Sequence, residues 1–83
     1  MTREQLSAAI LEALGEIAPE TVSSEIDPRL NLREQLDLDS MDFLNFVIAL
    51  HKKLGVSIPE TDYSRLATLD GCLDYLSQAT AHV

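Results

Sequence analysis

The residues best suited to chemistry in this chain stand in one run, Leu36-Asp37-Leu38-Asp39-Ser40-Met41-Asp42. One hydroxyl among three carboxylates could bind a cation, act as a nucleophile or open a helix. A calcium loop needs an acid or amide at its fifth position, glycine at its sixth and glutamate at its twelfth. Counted from Asp37, those positions hold Met41, Asp42 and Ile48, which excludes calcium. A serine hydrolase needs a base within hydrogen-bond reach of the hydroxyl. His51 lies along the same expected helix, roughly 16 Å away at about 1.5 Å per residue. His82 stands near the end of the chain, and there is no G-x-S-x-G elbow. No catalytic residue is expected. The one cysteine, Cys72, and two histidines make a poor zinc set, so no metal is expected either. From spacing alone, the run reads as a helix N-cap with acids favoured by the helix dipole.

The elements that must position this run are helical. Leu6, Ile10, Ala13, Leu14 and Ile17 form one stripe of a 3.6-residue period. Thr2 with Gln5 has the form of a capping box before it, and Pro19 stops it. Residues 18–39 are a long connection in which Val22, Ile26, Leu30, Leu32 and Leu36 recur. Such a loop is functional or packs its own side chains, so these residues are expected to pin it across the bundle. A short helical turn is expected near residues 30–35. The second main helix should run over residues 40–54, with Asp39 as N-cap, Gly55 just past its end, and Lys52 and Lys53 in its last turn. Leu44, Val47, Ile48 and Leu54 are its expected core stripe, widened by Met41, Phe43 and Phe46. After the turn Gly55-Val56-Ser57-Ile58-Pro59, a short helix is expected around residues 63–66. The last helix starts near Thr68 or Asp70 and buries Leu69, Cys72, Leu73, Leu76 and Ala79. Cys72 is expected as a small buried hydrophobe, and Tyr63 and Tyr75 as half-buried anchors. The expected fold is all-α: a small four-helix bundle of three main helices plus one short helix, with a long first loop.

With 83 residues the chain is expected to be a single domain spanning residues 1–83. Its formal net charge is −8, and ten of its 14 acids precede Phe43. Phosphate backbones bind basic surfaces, so nucleic acid is excluded as a partner and a basic protein surface is favoured. The longest apolar run, residues 46–50, is far short of a membrane span. The N-terminus lacks signal-peptide order. A cytoplasmic monomer is the expectation.

Around the acidic run and onward the chain resembles an acyl carrier protein, with a looser fit over the first helix. The resemblance rests on Asp39-Ser40-Met41 with Asp42, Leu44, Val47, Ala49 and Leu50, then Leu54-Gly55-Val56 and Ile58-Pro59-Glu60. It continues through Leu66-Ala67-Thr68-Leu69 and Leu73-Asp74-Tyr75-Leu76, and covers about residues 30–77 in register. It implies that Ser40 is the attachment point for 4′-phosphopantetheine, transferred covalently from coenzyme A by a separate phosphopantetheinyl transferase. The arm's thiol would carry an acyl chain as a thioester to partner enzymes, and the chain itself would be no enzyme. Asp37, Asp39, Met41 and Asp42 would form the docking surface for acyl-transferring, ligase or synthase enzymes with basic faces, in weak and fast encounters.

This sequence departs from the usual pattern at several places. Met41 replaces a leucine, and Asn45, His51 and Lys52 stand where fatty-acid carriers commonly show glutamates. Phe43 and Phe46 make the second helix more apolar than a typical docking helix. The departures point to a specialised lipid, polyketide or secondary-metabolite pathway. Two alternatives fit the same residues: an aminoacyl or peptidyl carrier, and a small helical interaction domain that never receives an arm. If an acyl chain is sheltered in the bundle, Ala49 and the flexible Met41 offer room near the start of the second helix.

Overall fold

The computed structural model describes residues 2–19 and 26–80. Val22 and His82 lie outside the described residues. Helix α1 covers Arg3–Ile17, α2 is a single turn at Leu32–Gln35, α3 covers Ser40–Leu54, a 3₁₀ helix covers Glu60–Leu66, and α4 covers Leu69–Thr80. There is no strand among the described residues. The three main helices and the short fourth match the expected bundle.

The helix ends follow from local hydrogen bonding. Gln5 N–H donates to Thr2 Oγ1 at 3.1 Å, and Thr2 N–H donates back to Gln5 Oε1 at 2.9 Å. This closes the expected capping box of α1. At the far end of α3, Gly55 has φ +67° and its N–H donates to His51 O at 2.8 Å. Glycine takes that left-handed conformation without strain. Thr68 Oγ1 accepts from Gly71 N–H at 2.9 Å and opens α4. A Cβ at Gly71 would stand 2.5 Å from the Arg65 carbonyl oxygen, so a larger residue there would push α4 off the 3₁₀ helix.

One core joins the elements: Leu6, Ile10 and Leu14 of α1, Phe46 and Leu50 of α3, Leu66, and Cys72 and Leu76 of α4 are fully buried. Helix α1 packs on α3 and α4, and α4 packs on the 3₁₀ helix. Lys53 Nζ bridges Glu12 at 3.0 Å and Glu16 at 3.3 Å, and Arg3 pairs with Asp74 at 3.2 Å.

The core face of α3 differs from the expected one. Phe43, Phe46, Val47 and Leu50 are its buried residues, while Leu44 is 37% and Ile48 41% exposed. Two apolar arcs with the same period run along this helix, about 100° apart. The arc with the two phenylalanines removes more apolar area from water and takes the core.

The first loop is tied down by more than its leucines. Leu32 and Leu38 are buried and Ile26 and Leu36 pack against the core, but Leu30 is 55% exposed and pins nothing. It sits at the end of a turn in which its N–H reaches back to Asp27 O. Backbone bonds replace it: Leu32 N–H to Ala67 O at 2.7 Å and Asp70 N–H to Pro28 O at 3.0 Å. Gln35 adds three more, accepting from Asp27 N–H and donating to the carbonyls of Asp27 and Leu30. Helix α2 begins two residues later than expected, with Asn31 Oδ1 as its cap. The short helix before α4 begins at Glu60, three residues earlier than expected. Tyr75, half-buried as expected, donates its hydroxyl to Asp62 Oδ2 at 2.8 Å.

Candidate functional site

Ser40 is the first residue of α3 but does not cap it. Asp39 does: its Oδ1 accepts from Asp42 N–H at 2.8 Å, and Asp42 Oδ2 accepts from Asp39 N–H at 3.3 Å. The two carboxylates close the helix start between them and leave the Ser40 hydroxyl exposed and free of backbone duty. Its Oγ accepts one hydrogen bond, from Arg33 Nη2 at 3.2 Å.

Asp37 is also held by local structure. It follows the end of α2 with φ +55°, the one left-handed residue among those described that is not glycine. Leu38 N–H donates back to Arg33 O at 2.9 Å, the six-residue closure of a Schellman turn in which Asp37 occupies the glycine place. Asp37→Gly should therefore stabilise the fold by about 0.5–1 kcal/mol, set by relief of left-handed strain against greater freedom of the unfolded chain. Urea unfolding measures this. Asp37→Asn, which keeps a tolerated left-handed residue and drops the charge, should leave stability near its original value and weaken only basic partners.

Met41 is 63% exposed and Leu44 and Ile48 follow it along the outer face of α3, so the site is bordered by an apolar strip. Asp37, Asp39, Met41 and Asp42 all stand within three residues of Ser40 in the chain; Asp37, Asp39 and Met41 are exposed, and Asp39 and Asp42 are partly engaged by backbone. Near Ala49 a depression of about 320 Å³ lies between α3 and the end of α1, lined by Glu16, Asn45, Ala49 and Lys53 among others, while Met41 faces outward. A second opening reaches Ser40 itself. A cleft of about 420 Å³ starts at Ser40 and runs between α3 and the 3₁₀ helix, lined by Arg33, Phe43, Leu44, Tyr63, Ser64 and Ala67 among others. Phe43 and Tyr63 meet edge to face across its floor, with ring centroids 6.3 Å apart. Arg33, Tyr63 and Ser64 are site residues that sequence reasoning missed. The one available signal for Arg33 is that it is the only arginine or lysine between Arg29 and Lys52, inside the acidic run.

The family model for the phosphopantetheine attachment site matches residues 4–76. The chain belongs to the acyl carrier protein family. It is 29% identical over 80 residues to the acyl carrier protein of Acidothermus cellulolyticus, covering 96% of this chain and 94% of that one. It is 30% identical over 78 residues to the meromycolate extension acyl carrier protein of Mycobacterium tuberculosis, covering 94% of this chain and 67% of that one. A solved acyl carrier protein from Enterococcus faecalis has the same fold, with a TM-score of 0.75 at 23% identity, covering 96% of this chain and all of that one.

The family's members are carriers and not enzymes, bearing covalent 4′-phosphopantetheine and meeting a phosphopantetheinyl transferase and acyl-handling enzymes. The site fits such a group. The Ser40 hydroxyl can be substituted without loss of any backbone hydrogen bond of α3, and its exposure admits a transferase. Among the described residues no helix is long and apolar enough to cross a membrane.

The carrier's own thiol is out of play. Cys72 is fully buried, its Sγ lies 3.4 Å from Leu66 O, and burial pushes its pKa up to about 12. The native unmodified carrier should therefore not react with a thiol-directed alkylating reagent near pH 8, and the modified carrier should take up one equivalent, on the arm. Counting label by intact mass checks both.

Proposed function

We propose that Ser40 bears the 4′-phosphopantetheine arm and that the carrier delivers acyl thioesters to enzymes of a specialised lipid, polyketide or secondary-metabolite pathway. The observation that carries the attachment is the division of labour at the start of α3, where Asp39 caps and Ser40 stays free. In the transfer, Ser40 Oγ forms the new bond to the pantetheine-side phosphorus and gives its proton to a base on the transferase, while the pyrophosphate P–O bond of coenzyme A breaks and adenosine 3′,5′-bisphosphate leaves. Asp37, Asp39 and Asp42 draw in a basic partner, and Met41 gives that partner an apolar foothold beside the serine.

Support for a specialised pathway comes from the rest of α3. Beyond Asp42 its outward residues are Leu44, Asn45, Ile48, His51 and Lys52, an apolar and then basic surface. A relative named for meromycolate extension points the same way. The test is intact mass after incubation with coenzyme A and a phosphopantetheinyl transferase. A gain of one arm is the expected result, and an unchanged mass under conditions that convert another carrier overturns the reading.

A further inference from the structure

Ser40 is surrounded by Asp37, Asp39 and Asp42, so a phosphodiester formed on it would sit among like charges unless a cation stood close by. One does. Arg33 Nη2 lies 3.2 Å from Ser40 Oγ. Its guanidinium rests over the Phe43 ring, 6.0 Å from the centroid, which favours a cation and limits where the fork can point. Arg33 is on α2, and α2 is held in place by the Leu32–Ala67 backbone bond, the Asn31 cap and the Gln35 bonds to Asp27 and Leu30. The base is therefore carried on a fixed support. Arg3, Arg29 and Lys53 are spent on ion pairs with Asp74, Asp27 and Glu12 with Glu16. Arg33 forms none among the described residues, although Glu34 follows it directly.

We infer that Arg33 is the phosphate-anchoring residue of the modified carrier, donating from its guanidinium to the phosphodiester on Ser40. The inference rests on the attachment of the arm at Ser40. Guanidinium offers several N–H donors in a planar fork that matches phosphate oxygens, and it keeps its charge at any working pH. The anchor offsets the repulsion from the three aspartates, so the acid needed for basic partners and the anionic linkage share one surface. It also directs the first atoms of the arm toward the Arg33 and Phe43 side of Ser40, where the cleft opens.

The test uses the modified carrier, its Arg33→Ala, Arg33→Lys and Lys52→Ala variants, and phosphorus and side-chain nitrogen NMR. Conversion of the unmodified to the modified form should move the Arg33 Nε–H resonance, which requires no variant. Arg33→Ala should shift the phosphorus resonance of the linkage, Arg33→Lys should restore part of that shift, and Lys52→Ala should leave it in place. The Arg33-dependent shift should shrink as salt rises above about 0.15 M, where the screening length is roughly 8 Å. A phosphorus resonance indifferent to Arg33→Ala, or an Arg33 resonance unmoved by modification, overturns the anchor while leaving the attachment intact. A carrier whose mass shows no arm, or whose arm maps away from Ser40, overturns both.

Discussion

Ser40→Ala should fold as the parent does and gain no mass with coenzyme A and a transferase. The functional loss is complete because no other group at the start of α3 offers a free hydroxyl. The stability change should be small, within about 0.5 kcal/mol, because Ser40 Oγ serves no backbone group and an exposed hydroxyl contributes little. Asp39→Ala is the contrasting variant. It removes the oxygen that accepts from Asp42 N–H and should cost about 1 kcal/mol. Denaturant unfolding of the two, beside intact mass, separates the residue that holds the helix from the one that carries the arm.

The second large effect concerns partner choice. Asn45→Glu with Lys52→Glu should improve service in a general fatty-acid elongation assay by about two- to fivefold for each charge, the range set by exposed ion pairs. Conversion by a broad-specificity transferase, which needs only the surroundings of Ser40, should change less. Both residues are exposed and neither makes a side-chain hydrogen bond among the described residues, so the fold should be kept, at a cost of about 0.3–1 kcal/mol for an acid in the last turn of α3. His51 is a poorer choice for added acid. Its Nδ1 lies 2.9 Å from Val56 O, where a carboxylate would face a carbonyl oxygen. The gain should fall as salt rises above about 0.15 M. If the unaltered carrier already supports elongation at the rate of a fatty-acid carrier, the specialised pathway loses its support.

The helix ends and the place of Ser40 were legible because caps are local. Thr2 with Gln5, Asp39 with Asp42, and Gly55 after Leu54 each act within three residues, so spacing reveals them. The direction in which α3 faces was not. Leu44 and Ile48 share the period of Phe43, Val47 and Leu50, and only the packing of α3 on α1 and into the shared core decides which arc is covered. Leu30 misled for a related reason: a leucine in a loop is buried only if the turn before it points inward. Arg33 reaches Ser40 because the left-handed turn at Asp37 folds α2 back toward the start of α3, and neither that turn nor its direction is marked by a glycine or proline. The 3₁₀ helix began before its expected position because its first residues carry little apolar pattern.

Peptide mapping of the modified carrier tests the central claim most directly. Incubated with coenzyme A and a transferase, then digested, the protein should show the whole added mass on the peptide containing Ser40. Peptides with Ser57 and Ser64, which are also exposed, should show none. An arm on either of those serines, or full conversion of Ser40→Ala, would contradict the account.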